Sequence, residues 1–175
     1  MLLSIFVIGF IGLLLYAAWS DARFLRIPNW LSMTLLVAFL PTVLLAGLSM
    51  EAIAWHFGAG VAVLVAGFIL FAIGLFGGGD AKLLAVCALW LGIDHVLWLL
   101  AAVVLIGGVL SIAVILLRKG LGLWPDWLVR HLKGLFEPNA AVPYGIAIAG
   151  GALLILPRAD IFPPQLLDLL DIIVG

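Results

Sequence analysis

The sequence predicts an all-α, polytopic integral membrane protein folded as a bundle of six transmembrane helices. Hydrophobic residues occupy 67% of its 175 positions and charged residues only 10%, whereas soluble domains are about 45–50% apolar and about 25% charged. The mean hydropathy is +1.40. A soluble fold of this size leaves roughly a third of its extended-chain surface in water. This composition therefore excludes a soluble enzyme, a secreted disulfide scaffold and a disordered chain.

Six apolar segments are candidates for the spans, since a spanning helix needs about 20 mostly apolar residues. They cover residues 2–19, 30–48, 52–76, 83–93, 96–117 and 140–156. The fourth is short but is able to begin near Asp80. Pro41 predicts a kink in the second span that neighbouring helices accommodate. We interpret residues 1–175 as a single membrane-embedded domain.

The basic residues fall on one side of such a bundle. Loop one (residues 20–29), loop three (77–82) and loop five (118–139) carry seven of the eight basic residues. They are Arg23, Arg26, Lys82, Arg118, Lys119, Arg130 and Lys133. The positive-inside rule predicts that this face is cytoplasmic and that both ends of the sequence lie outside. The loop 118–139 is expected to hold an interfacial helix at 126–136, and residues 157–175 an amphipathic tail, both contacting lipid. The net charge of −1 argues against nucleic acid as a partner.

Metal and disulfide chemistry has little support in the sequence. The single cysteine, Cys87, excludes an internal disulfide and a multi-cysteine metal site. His56 and His95 fall near the predicted outer face, and His131 has no second ligand at a useful spacing. These residues therefore give no candidate metal site.

Two carboxylates stand at the ends of spans on the predicted cytoplasmic face. Asp21 follows the first span and Asp80 follows the third, and ionisable residues in such places are costly and mostly functional. The helix macrodipole disfavours a carboxylate at the end of a helix and should lower the pKa of Asp80 at the start of one. Such a pair can share a proton, one member activating water while the other polarises a carbonyl. The alternatives are an ion pair of Asp21 with Arg23 and a plain N-cap at Asp80.

Three glycines, Gly77, Gly78 and Gly79, precede the second aspartate. They are costly beside a helix unless the backbone needs an unusual conformation or a close approach by another chain. We expect this loop to bind an extended substrate peptide; the alternative is a flexible turn. Lys82 either tunes Asp80 electrostatically or anchors to lipid headgroups, and we favour the second role.

Three elements together resemble the prepilin peptidases, also called type IV leader peptidases, which are membrane aspartyl proteases of the GxGD class. The first runs from Asp21 to the Pro28-Asn29 dipeptide. The second is Gly77-Gly78-Gly79-Asp80-Ala81-Lys82, and the third is Val142-Pro143-Tyr144-Gly145. The resemblance covers nearly the whole chain. It implies that Asp21 and Asp80 are the catalytic residues and that Gly77 and Gly79 are the motif glycines.

The resemblance also implies an activity. Such enzymes hydrolyse the basic leader from type IV prepilins at the cytoplasmic face of the bacterial inner membrane, with water as nucleophile and no cofactor. Larger members carry a cytoplasmic domain with four cysteines and N-methylate the new terminus. Loop one has only about ten residues here and no cysteine pair, so we expect cleavage without N-methylation. The compact form resembles the peptidases of tight-adherence (Flp-type) pili.

Two other functions stay open at this point. A small proton-coupled transporter would use Asp21 and Asp80 as ion ligands, although transporter sites tend to lie near the midplane. A catalytically inactive scaffold of a pilus or secretion assembly would need neither carboxylate.

Overall fold

The computed structural model describes residues 2–119 and 141–163, and these ranges contain six α-helices and no strand. The helices are α1 (Leu2–Phe24), α2 (Asn29–Ala46), α3 (Met50–Ala72), α4 (Gly78–Leu91), α5 (Val96–Lys119) and α6 (Tyr144–Ile155). The all-helical class and the six helices are therefore confirmed. The expected interfacial helix at 126–136 and most of the amphipathic tail lie outside the described residues.

Only four segments of the described chain are long and apolar enough to cross a membrane by themselves. They are α1, α2, α3 and the stretch Ile93–Lys119, which contains α5. The other two helices are shorter, with 14 residues in α4 and 12 in α6. At about 1.5 Å per residue they reach roughly 21 and 18 Å, against a hydrocarbon core of about 30 Å.

The two short helices form the centre of the bundle. α4 packs against α2, α3 and α6, and α6 packs against α1, α4 and α5. Residues 83–91 of α4 are buried without interruption. Trp90 is fully buried, stacks on Phe10 at a centroid distance of 4.2 Å and donates from Nε1 to the Leu35 carbonyl at 2.9 Å.

Two helices, α1 and α3, end at residues other than the predicted ones. α1 continues to Phe24, five residues past its expected end, and stops where Leu25 takes the left-handed conformation (φ 51°). α3 stops at Ala72, before Gly74 (φ 77°), so a short turn leads into α4 at Gly78. As a result, Asp21 lies in the last turn of α1 and Asp80 in the first turn of α4.

Candidate active site

Asp21 is buried against the beginning of the last helix. Its side chain is 5% exposed, and its Oδ2 accepts a hydrogen bond from the backbone N–H of Gly145 at 2.6 Å. Gly145 is the second residue of α6, so the carboxylate meets the N-terminal end of that helix, where unpaired N–H groups favour negative charge. The N-terminal end of α6 thereby offsets the unfavourable effect of the C-terminal end of α1 on the Asp21 carboxylate.

Gly145 is a site residue whose role the sequence analysis missed. A Cβ atom there would lie 2.9 Å from both Cβ and Oδ2 of Asp21, and 3.0 Å from Cδ1 of Ile27. No side chain fits without displacing the carboxylate. The signal in the sequence was a glycine directly after Pro143-Tyr144 at a helix start, but its partner stands 124 positions away.

The side chain of Asp80 folds back onto the N-terminal end of its own helix, α4. It occupies the third position after the N-cap Gly77, and its carboxylate accepts a hydrogen bond from the Gly77 backbone N–H. This is the acidic half of a capping box. A Cβ on Gly77 would collide with Oδ2 of Asp80, so the glycine makes room for the carboxylate itself.

The other two glycines are packed closely against the rest of the protein. A Cβ on Gly78 would lie 3.3 Å from the Phe71 ring, and one on Gly79 would lie 3.3 Å from Cβ of Ile27 in loop one. The run thus brings the start of α4 against the segment that follows α1. Close approach, not a positive φ, explains these glycines, because Gly74 is the glycine of this turn with positive φ.

Asp21 and Asp80 line one cleft, here called the aspartate cleft. It has a volume of about 510 Å³, and its wall is built from residues 25–29 of loop one and the three glycines 77–79. The structure therefore brings together both predicted carboxylates and the predicted loop. Lys82 does not line this cleft.

The two carboxylates interact electrostatically. Burial and, as a smaller effect, the negative charge of Asp21 raise the pKa of Asp80 to about 7, and the Gly77 N–H opposes both effects. The predicted lowering of the Asp80 pKa is therefore wrong. A helix N-terminus does stabilise the carboxylate, but loss of water and a neighbouring like charge outweigh it.

Lys82 is exposed and binds the Pro28-Asn29 element. Its Nζ donates to Oδ1 of Asn29 at 2.9 Å, which ties the first turn of α2 to α4. Asn29 thus has a defined contact beside the cleft. Headgroup anchoring by Lys82 remains a prediction.

His56 and His95 lie away from the aspartate cleft, as expected. His56 and His95 line a separate pocket beside Gly92, at the other end of α4. Among residues 2–119 and 141–163, no cluster of three or more His, Cys, Asp or Glu side chains is arranged to hold a metal ion. His131 lies outside these ranges, and the absence of a cofactor stays a prediction.

Comparison with known protein families gives one result. The model of the type IV leader peptidase family matches residues 8–112, more than half of the chain. The matched region contains both aspartates and the glycine run, whereas Gly145 lies beyond it. Comparisons with curated proteins and with solved structures gave no significant match. The chain belongs to the type IV leader peptidase family, a family of proteases, and the resemblance predicted from its motifs is confirmed at that level.

Proposed function

We propose that this protein is a membrane aspartyl endopeptidase that removes the basic leader from type IV prepilins, with Asp21 and Asp80 as its catalytic pair. The observation that carries the proposal is the aspartate cleft, which two carboxylates from different helices line together and in which burial, helped by the charge of Asp21, raises the pKa of Asp80 to about 7. Perturbed carboxyl groups in a cleft are typical of catalytic sites.

The geometry favours a division of roles within the pair. Asp21 is held by the Gly145 N–H and acts as the base that takes a proton from water while the water oxygen attacks the scissile carbonyl. Asp80, with a pKa of about 7, holds the shared proton and donates a hydrogen bond to the carbonyl oxygen. Breakdown transfers a proton to the leaving nitrogen, so the amide bond breaks and an acid and an amine form. The pair titrates as a unit.

The proposed location is the bacterial inner membrane, with the aspartate cleft facing the cytoplasm. Arg26 lines the cleft, and Lys82 follows Asp80 by two residues. At the opposite end of the bundle, after α6, Arg158 is the one Lys or Arg among the described residues. This bias fits the positive-inside rule. The short loop one supports a Flp-type enzyme that cleaves without N-methylation.

The test is cleavage of a co-expressed short prepilin precursor in membranes, with mass spectrometry of the new N-terminus. We expect wild type to release the leader and leave an unmethylated terminus. Asp21→Asn and Asp80→Asn should each reduce cleavage at least about 100-fold, because a positioned acid or base contributes about 10²–10⁴-fold.

Asp94→Asn is the matched control, since Asp94 is exposed and lies at the other end of α4, outside the aspartate cleft. It should cleave like wild type. Cleavage that survives in both cleft variants would refute the catalytic pair. Folded wild type that cleaves no prepilin would favour the inactive scaffold.

A further inference from the structure

A second concavity, here called the lateral groove, opens on the side of the bundle. α2 and α3 both pack on α4, and between them they leave a groove of about 390 Å³ with α4 as its floor. Its wall is almost entirely apolar and includes Met33, Leu36, Val61, Leu64, Ala85 and Val86. Met33 and Val61 are each 58% exposed. Because α2 and α3 are long enough to span a membrane, this groove faces the lipid.

The lateral groove ends beside the aspartate cleft. Asn29 lines both concavities, and Lys82, which donates to Asn29, lines the groove. Lys82 stands on the same helix as Asp80, two positions further along. A ligand that follows the groove toward loop one therefore arrives at the aspartate pair.

Small residues bring two helices of the groove close together. Gly60 of α3 and Ala85 of α4 both line it, and Gly60 lets α3 pack closely on α4, because a Cβ there would lie 3.0 Å from Cβ of Leu89. The apolar wall of the groove and its continuity with a polar cleft together match an apolar helix that continues into an extended peptide.

We propose that the lateral groove binds the beginning of the substrate's own membrane-spanning helix, while the aspartate cleft binds the extended segment that precedes it. This inference rests on the proposed function and adds a specificity site to it. The groove would select substrates whose scissile bond lies directly before an apolar helix, because only those fill both concavities at once.

The first test compares two substrates and two variants. One substrate is the full precursor with its apolar helix; the other is a soluble peptide that spans the cleavage site and lacks the helix. Val61→Trp fills the groove and should raise KM for the precursor at least about tenfold, equivalent to about 1.4 kcal/mol of binding. Its kcat/KM for the soluble peptide should equal that of wild type.

Ala62→Trp is the matched control, because Ala62 is the next residue of α3, is also exposed and does not line the groove. It should process both substrates like wild type. An unchanged precursor KM in Val61→Trp, or an equal loss on both substrates, would overturn the groove proposal. Failure of wild type to cleave either substrate would instead overturn the proposed function.

A second test detects the precursor bound in the lateral groove by cross-linking and does not depend on catalysis. A photoreactive amino acid is placed at position 61 or 62 in the Asp80→Asn background, which should retain uncleaved precursor. We expect cross-links to the apolar segment of the precursor from position 61 and far fewer from position 62. Cross-links from position 61 to phospholipid alone would show a lipid site and refute the proposal.

Discussion

Asp21 shows how far the environment of one side chain depends on distant parts of the chain. The sequence places it at the end of a helix, where a carboxylate is disfavoured. In the structure it is covered by the first turn of α6 and accepts the Gly145 N–H. The sequence could place this carboxylate at the same end of the bundle as Asp80, but it could not identify the donor that fixes the orientation of the carboxylate.

The replacement Gly145→Ala should impair catalysis because the new Cβ would lie 2.9 Å from the Asp21 carboxylate. A displacement of about 1 Å at a reacting group can cost roughly 100-fold in rate, so we expect kcat for precursor cleavage to fall by about that factor. The measurement is the rate of leader release by purified protein in lipid.

Gly150→Ala supplies the control from the same helix. A Cβ there meets Cδ1 of Ile106 at 3.4 Å, which is the movable end of a flexible side chain, so activity should be retained. Equal rates for the two alanine variants would mean that the Gly145–Asp21 contact does not position the catalytic carboxylate.

Asp80 makes stability depend on pH in a defined direction. Its pKa rises from 3.8 to about 7 on folding, mainly through burial, so the folded state holds the proton more tightly than the unfolded state. The stability that this proton contributes is present below about pH 4 and is lost as pH rises toward 7.

Asn resembles the protonated acid and does not ionise. We therefore expect Asp80→Asn to raise the melting temperature in detergent, and to raise it more at pH 8 than at pH 5. An equal gain at both pH values would show that Asp80 keeps an ordinary carboxyl pKa in the folded protein.

At the scale of the helices, the sequence predicts how many there are but not which of them lie at the centre of the bundle. Each apolar run marked a helix, because hydrophobicity along the chain reports exclusion from water. In a membrane, however, both the lipid-facing and the core-facing sides of a helix are apolar, so the pattern does not show which helices are central. The central position of α4 and α6 follows from packing, and the end of α3 from the positive φ of Gly74.

Trp90 tests the central role of α4. It is fully buried between Phe10 and Phe39 and donates to the Leu35 carbonyl. Trp90→Phe removes that hydrogen bond and leaves a void, which should lower the free energy of unfolding by about 1–3 kcal/mol. Reversible unfolding in mixed micelles measures the change.

Trp98→Phe is the comparison for this substitution, since Trp98 is 67% exposed on α5. We expect its unfolding free energy to stay within about 0.5 kcal/mol of wild type, as for surface changes elsewhere. A loss in Trp98→Phe as large as that in Trp90→Phe would contradict the assignment of α4 to the core.

At the scale of the whole molecule, topology accounts for most of the candidate site. Asp21 ends the first helix, Asp80 begins the fourth and Gly145 begins the sixth. In an up-and-down bundle these three positions share one end, so the meeting of the two carboxylates was predictable. The direction of the Asp80 pKa was not, because it depends on how completely the neighbouring glycine turn and loop one exclude water.

The short central helices also affect the surrounding lipid. α4 and α6 fall about 10 Å short of the hydrocarbon thickness, while the helices around them do not. A hydrophobic mismatch of this kind is met by local thinning of the bilayer. The aspartate cleft, at the beginning of both short helices, then lies deeper than the surrounding headgroups, and the proposed peptidase can hydrolyse a peptide bond there without drawing the apolar neighbour of that bond out of the membrane.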